Sequence, residues 1–189
     1  MSNYSMEEAI LFSHRMTQLS KALWKAIEKD WRAWVKPHGL NINEHHILWI
    51  LYEKNGTTIS DLSNHGAMHV STAFNFSKKL EERELISFSK NDDDKRNTYL
   101  SLTEDGDTLF KETLRTFNPY EHAILNAMEP FQNIYGSMPE FKEVSAIIRE
   151  LYDIDYDLDT SIEERMLSDM TKDPEREYAV ATSQGKKSR

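Results

Sequence analysis

The side chains best suited to chemistry lie in the segment HVSTAFNFSKKLEERE, residues 69–84. Read as a helix, this segment buries one edge, whose members recur at intervals of three and four: Ala73, Phe76, Ser77 and Leu80. The opposite face carries side chains that can all donate hydrogen bonds: Ser71, Thr72, Asn75, Lys78 and Lys79. Hydroxyl and amide groups can bond base edges, and ammonium groups can bond phosphates. A plain polar helix face is the alternative reading of Ser71, Thr72 and Asn75.

A second polar stretch, NDDDKRNTYLSLTEDG at residues 91–106, places three aspartates directly before Lys95 and Arg96. Because the alternating runs LISFSK and TYLSL flank NDDDKRN, the pattern predicts a two-stranded hairpin with NDDDKRN as its loop. On an arbitrary protein, Arg96 at this tip would be a solvated charge. Beside a helix with outward donors, it becomes a candidate for contact with DNA. Lysines suit phosphates better than bases, and three are candidates for that role: Lys78, Lys79 and Lys90.

The elements that must position these residues are mostly helices. Apolar residues at helical spacing, bounded by capping and helix-breaking residues, predict helices over residues 6–35, about 43–56, 59–64 and 69–83. Thr103 can cap a further helix that ends near Pro119. Residues 120–137 suggest a short helix broken by proline and glycine. A last long helix is predicted from Phe141 to about Met170, and residues 171–189 are expected to be a disordered tail.

Charge and composition bound the class of protein. The chain has 189 residues, no cysteine and a net charge of −9. Residues 104–170 hold 16 acidic and 5 basic side chains, so this region carries −11 and the remainder is nearly balanced. Any DNA contact must therefore use a locally basic face within residues 57–103, doubled by dimerisation. The lack of cysteine and of a long apolar run predicts a cytoplasmic protein that does not span a membrane.

The order of the predicted elements is short helix, turn, second helix, strand, loop and strand, which indicates a winged helix-turn-helix. In this unit the second helix enters the major groove of DNA, and the hairpin, called the wing, reaches the backbone or the minor groove. The predicted fold class is mainly α with a small antiparallel β-hairpin. We expect an N-terminal helix in residues 1–40, the winged unit in 41–103, a C-terminal helical region in 104–170 and the tail in 171–189.

The wing resembles that of the MarR family of bacterial transcription regulators. In that family an Asp and an Arg two positions apart precede an alternating strand, a Leu-Thr pair and a Gly three residues after the Thr. Those positions are occupied here by Asp94, Arg96, Leu102, Thr103 and Gly106. The resemblance covers roughly residues 40–115, and the flanking helices agree in order and length.

The resemblance implies a homodimeric repressor that binds pseudo-palindromic operators in double-stranded DNA, with the first and last helices forming the dimer. It implies that Arg96 enters the minor groove and that Asp94 orients its guanidinium. Similar family members regulate extracellular protease and sporulation genes in spore-forming bacteria, so target genes of that kind are expected. No cofactor is implied, and the small-molecule effector is unknown. The expected DNA-binding set is Ser71, Thr72, Phe74, Asn75, Lys78, Lys79, Lys90, Asp94, Lys95 and Arg96.

Three positions depart from the family pattern. His69 stands where a Ser or Thr cap is usual, which leaves the start of the recognition helix open by a residue or two. Glu84 stands where Gly is usual, and a left-handed backbone there would cost about 1 kcal/mol. Phe74 faces away from the predicted core, so it can either contact a thymine methyl group or fold against a neighbouring element.

Alternative functions draw on other residues. The histidines at 45, 46, 65 and 69 lack the spacing of a convincing ligand set, so no metal is predicted. The tryptophans of the first helix lie on or beside one stripe and are expected in the dimer core: Trp24, Trp31 and Trp34. The chain lacks the common nucleotide-binding, zinc-protease and hydrolase motifs, so no enzyme is predicted. A winged helix used only for contacts with other proteins is the alternative to DNA binding.

Overall fold

The computed structural model describes residues 4–54, 56–91, 94–139, 141–154 and 160–171. Within these ranges the chain is mainly helical, with one small antiparallel sheet. The helices are α1 Met6–Val35, α2 Ile42–Glu53, α3 Ile59–His65, α4 Val70–Glu82, α5 Glu104–Thr116, α6 Ala123–Tyr135, α7 Lys142–Tyr152 and α8 Thr160–Thr171. The strands are β1 Thr57–Thr58, β2 Ile86–Asn91 and β3 Asp94–Leu102.

Side-chain caps set the helix boundaries in the first two thirds of the chain. Ser5 begins α1 with a capping box, and Asn41 begins α2 in the same way. The predicted caps Thr58 and Thr103 are confirmed, since each side chain accepts a hydrogen bond from the backbone N–H three residues later. Gly39, with φ +68°, follows the turn that separates α1 from α2. The helices predicted up to residue 117 are therefore confirmed to within a few residues.

The sheet differs from the predicted hairpin in two respects. It has three strands in the order β1-β3-β2, because Thr57 and Thr58 pair with Leu100 and Tyr99. A two-residue strand shows no alternation, so the sequence pattern could not indicate it. In addition, β3 begins at Asp94, so residues 94–97 belong to a strand and not to the predicted loop. Strand pairing continues past the last apolar residue because the ladder is made by backbone groups. Asp92 and Asp93 lie outside the described residues.

In the C-terminal third, two predictions about the helices were wrong. The predicted break at Pro130 is absent, because α6 continues through this residue to Tyr135. The single long helix expected from residue 141 to 170 is two helices, because α7 ends at Tyr152 and the next residue, Asp153, is left-handed, with φ +54°. The helix α8 then packs against α5. The predicted tail lies almost wholly outside the described residues.

The core lies where α2 meets α3, α4, α5 and the sheet. Its fully buried side chains come from all of these elements: Ile47, Leu48, Leu51, Leu62, Ala73, Leu80, Leu100 and Phe110. The helix α4 and the wing therefore pack against the same core. Among the described residues, no helix is both long and apolar enough to cross a bilayer.

A buried histidine joins α1, α2 and α5 at the edge of this core. Trp31 Nε1 donates to His45 Nδ1 over 2.9 Å, and His45 Nε2 lies 3.0 Å from Thr113 Oγ1. Because Thr113 Oγ1 itself donates to the Phe110 carbonyl oxygen, His45 must donate from Nε2 and accept at Nδ1. His45 is therefore neutral. We call these residues, with Trp34, the His45 cluster.

The His45 cluster gives two of the tryptophans a role within the chain. Trp31 and Trp34 pack within one chain, and Trp34 Nε1 donates to the Thr113 carbonyl oxygen over 2.9 Å. They therefore attach α1 to the winged unit, and because each keeps part of its surface exposed, their place in a dimer core stays a prediction. Trp24 differs from them, since half of its surface is exposed. The helical stripe was identified correctly, but its last two turns face the chain's own core.

The His45 cluster generates a pH prediction. Burial lowers the pKa of His45 to about 3 and that of His46 to about 4. An unfolded histidine has a pKa near 6.5, so between about pH 6.5 and pH 4 the unfolded chain binds protons that the folded chain does not. The contribution of these histidines to the free energy of unfolding should be constant above this window. It should fall within it as the pH decreases, by up to about 1.4 kcal/mol per pH unit for each histidine.

Urea denaturation at a series of pH values measures this slope. His45→Gln keeps a donor and an acceptor but does not titrate, so it should flatten the pH dependence. The control is His14→Gln, at an exposed position of α1. An equal slope in wild type and His45→Gln would contradict the assignment of His45 as the source.

Candidate nucleic-acid interface

The helix α4 presents two chemically distinct faces. Ala73, Ser77 and Leu80 are fully buried, and Phe76 packs against the core, as the spacing predicted. Ser77 Oγ has no hydrogen-bond partner among the described residues, so its small size, and not its hydroxyl, suits this position. The helix begins at Val70 after an extended His69, whose side chain makes no capping bond. The helix therefore begins directly after His69, although His69 supplies no side-chain cap.

The other face of α4 points away from the core. Ser71, Asn75 and Lys79 are exposed, and Thr72 and Lys78 are half-buried. Phe74 keeps 45% of its surface exposed, so it does not fold down completely against a neighbouring element. The outward set inferred from the sequence is therefore together on one accessible surface.

Lys78 connects α4 to the wing. Its Nζ lies 2.6 Å from Glu81 Oε2 and 4.4 Å from the centre of the Phe88 ring on β2. An ammonium over an aromatic face is attracted by the ring quadrupole. Lys78 is therefore engaged within the chain, and a phosphate that binds it must compete with Glu81.

A cleft of about 430 Å³ separates α4 from the wing and the start of α3. Its lining comes from all three elements: Thr58, Ile59, Ser60, Phe74, Lys78, Phe88, Asn97 and Thr98. Ser60 and Thr98 were not singled out in the sequence, although hydroxyl groups on both walls suit contact with a backbone phosphate. Their position beside Phe74 and Lys78 depends on strand pairing, which the linear sequence does not reveal.

The predicted wing residues lie near the tip of the hairpin. Asn91 pairs with Asp94 and Lys90 with Thr98, and the register shifts between Lys90 and Asn91. The backbone of Asp94, Lys95 and Arg96 belongs to β3. The side chains of these three residues lie outside what the structure describes, whereas Lys90 is exposed.

The base of the wing explains the Thr and Gly positions of the family pattern. Thr103 Oγ1 donates to the Glu84 carbonyl oxygen over 2.7 Å and accepts from the Gly106 N–H over 3.0 Å. A Cβ atom on Gly106 would lie 1.8 Å from the Leu85 carbonyl oxygen, so only glycine permits this approach. Glu84 has φ +59°, the left-handed conformation expected at this position. These residues fix the wing to the end of α4.

Comparison with known proteins identifies the family. A model of the MarR family matches residues 40–98. The HTH-type transcriptional regulator Hpr of Shouchella clausii is 57% identical over 154 residues, which cover 82% of this chain and 79% of that protein. The Hpr of Bacillus pumilus is 52% identical over 170 residues, which cover 90% and 81% of the two chains. The chain belongs to the MarR family. These relatives are named as regulators and not as enzymes, in agreement with the prediction that the chain is not an enzyme.

Solved structures support the fold. The chain matches the structure of AbfR of Staphylococcus epidermidis with a TM-score of 0.56 at 16% identity, over 78% of this chain and 92% of that chain. A structure of overoxidized AbfR bound to DNA gives the same TM-score and identity, over 78% and 99%. At this identity the similarity establishes the architecture alone. The predicted winged helix-turn-helix is confirmed.

The base of the wing generates a stability prediction. Gly106→Ala places a Cβ against the Leu85 backbone, which cannot move without separating β2 from α5, so we expect a loss of about 3 kcal/mol or more. Thermal and urea unfolding measure this loss. Gly66→Ala is the matched control, because its closest contact is the flexible end of the Met68 side chain, and its loss should be smaller. Equal losses for the two variants would contradict the proposed backbone contact.

Proposed function

We propose that the chain is a homodimeric repressor that binds pseudo-palindromic operators in DNA. The supporting observation is the pairing of a donor-rich outer face of α4 with a wing that is fixed at its base to the same helix. The Hpr relatives are named as transcriptional regulators, which agrees with this function. The regulated genes are proposed to be those of extracellular proteases and sporulation. The protein is proposed to act in the cytoplasm, on the bacterial nucleoid, without a cofactor.

Each residue of the candidate interface has a proposed role. Ser71, Thr72 and Asn75 contact base edges in the major groove, and Phe74 contacts a thymine methyl group. Arg96 enters the minor groove, oriented by a bidentate pair with Asp94. Lysines supply the sequence-independent and salt-sensitive part of the affinity through phosphates: Lys78, Lys79, Lys90 and Lys95.

Exposed apolar side chains support the dimer. The first half of α1 carries large apolar residues that are more than half exposed, and α6 and α7 carry others. On α1 these residues are Met6, Ile10, Leu11, Phe12 and Leu19. Exposed apolar surface of this extent marks a contact with another protein. We propose that α1 and the helices of residues 104–170 contact a second copy of the chain.

A groove along α1 is also suited to a second copy. It has a volume of about 740 Å³, and Ala22, Ala26 and Ala33 form part of its wall, next to Lys25 and Lys29. Small side chains allow another helix to approach closely, and the lysines complement the charge of −11 on residues 104–170. Dimerisation would place two winged units side by side, which compensates for the unfavourable overall charge by doubling the local basic face.

DNA binding is tested with Arg96→Ala. Loss of the minor-groove contact should weaken binding to a selected operator by about tenfold or more, since one specific contact corresponds to about 1–3 kcal/mol. Fluorescence anisotropy at two or more salt concentrations measures the affinity and the salt slope. Arg32→Ala removes the same charge from an exposed position of α1 and serves as the control. A folded, dimeric Arg96→Ala variant with wild-type affinity would remove Arg96 from the interface. Failure of the wild type to bind any duplex would favour a protein-interaction module.

The dimer is tested with Leu19→Asp. A carboxylate in the proposed interface should dissociate the dimer, because a buried unpaired charge costs several kcal/mol. Sedimentation velocity at micromolar concentration should show a monomer for this variant and a dimer for the wild type. Thr17→Asp adds the same charge at an exposed polar position two residues away and should remain dimeric. Dimers of unchanged affinity in both variants would exclude this face of α1.

A further inference from the structure

The helix α8 returns to the winged unit and contacts it through a buried polar pair. Tyr52, in the last turn of α2, donates its hydroxyl proton to Asp169 Oδ2 over 2.7 Å. Both residues are only 5% exposed. Burial and the bond to Asp169 raise the pKa of Tyr52 to about 12, so the hydroxyl remains a donor at physiological pH. Met166 and Met170 of α8 pack against the core beside this pair.

Three cationic side chains surround the pair. Lys111 Nζ lies 3.5 Å from Asp169 Oδ2 and 2.7 Å from Asp107 Oδ2. Arg115 Nε donates to the Asp169 carbonyl oxygen over 3.4 Å. Arg165 lies 4.1 Å from the centre of the Tyr52 ring and donates to the Tyr52 carbonyl oxygen. We call Tyr52, Lys111, Arg115, Arg165 and Asp169 the Tyr52 cluster.

The two clusters attach α2 at opposite ends. The His45 cluster joins the start of α2 to α1, and the Tyr52 cluster joins its end to α8. The two positions are seven residues apart, which corresponds to about 10 Å along a helix. One attachment alone would allow the winged unit to rotate about it. Two separated attachments oppose that rotation.

The position of α8 in the chain gives this arrangement a consequence. It follows α7, which carries exposed apolar residues of the proposed dimer surface, and Ile154, two residues after α7, is buried. Along the chain, α1 of the proposed dimer surface leads into the winged unit. The helix α8 follows α7 of that surface and returns to the winged unit. A buried polar pair favours one specific geometry, because any displacement leaves its charged and polar groups without partners.

We propose that Tyr52 and Asp169 are positioning residues that set the half-site spacing at which the dimer binds DNA. They fix the winged unit against α8, one of the helices of residues 104–170 that are proposed to form the dimer, and in this way they set the distance between the two α4 helices. A dimer of such units reads two half-sites whose separation is a geometric property of the protein. This inference rests on the dimer and the DNA binding that are proposed above.

The first experiment measures the distance between the two α4 helices without DNA. The chain has no cysteine, so Glu82→Cys at the exposed end of α4 provides one spin-labelling site per protomer. Pulsed electron resonance should give a narrow distance distribution in the dimer. Tyr52→Phe, which removes one oxygen atom, and Asp169→Asn should broaden it. Tyr120→Phe, at a residue that is 68% exposed, is the matched control and should leave it narrow.

The second experiment measures operator spacing. Duplexes in which one base pair is added or removed between the half-sites should bind wild type much more weakly than the original operator. In Tyr52→Phe and Asp169→Asn this discrimination should fall by about tenfold, the factor that corresponds to one lost buried hydrogen bond. Affinity for an isolated half-site should not change. A variant that was merely less stable would lose affinity for all duplexes equally.

The outcomes separate the two proposals. A monomeric wild type, or one that binds no duplex, would overturn the proposed function. A dimeric, DNA-binding wild type whose two variants keep the narrow distribution and the full spacing discrimination would overturn the positioning role alone. If Asp169→Asn does not fold, Tyr52→Phe decides the question, because it leaves every charge in place.

Discussion

His45 is buried where α1, α2 and α5 meet, and both of its ring nitrogens require partners because no water can supply them. Trp31 donates to one nitrogen and Thr113 accepts from the other. The first bond determines which turn of α1 faces α2. The second determines how α5 is aligned with α2. The same constraint positions α4 and the wing, because α4 packs on α2 and α5 continues directly from β3. The rest of the winged unit therefore depends on a neutral histidine.

The distribution of charge is consistent with a division of tasks along the chain. The excess acid lies in residues 104–170, whereas the winged unit is nearly neutral and concentrates its lysines on the outer face of α4 and on the wing. Some of those charges are already engaged, as Lys78 is by Glu81 and Phe88. A protein with this pattern gains little from long-range attraction to DNA. Recognition of DNA must then come from close contacts of well-positioned side chains. Such contacts require that the winged unit holds these side chains in fixed positions.

Rigidity has identifiable sources in this fold. The approach of Gly106 to the Leu85 backbone and the two hydrogen bonds of Thr103 fix the wing to the end of α4. Glu84 adopts a left-handed conformation there although it has a side chain, which indicates that the turn geometry is imposed by its neighbours. The His45 and Tyr52 clusters then fix α2 at both ends. Backbone contacts thus set the interior of the winged unit, and buried polar side chains set its attachment to the other helices.

The sequence by itself determined the elements and their order, because local signals specify them. The caps Thr58 and Thr103, the turn at Gly39 and the apolar spacing of α4 are readable from neighbours in the chain, and the wing pattern of Asp94, Arg96 and Gly106 indicated the family. Only the tertiary structure decided which partners each face meets. Trp31 and Trp34 belong to the chain's own core because His45 and Thr113, distant in sequence, lie opposite them. The strand β1, the cleft beside Lys78 and the return of α8 to Tyr52 depend in the same way on contacts between distant segments, which leave no periodic trace in the sequence.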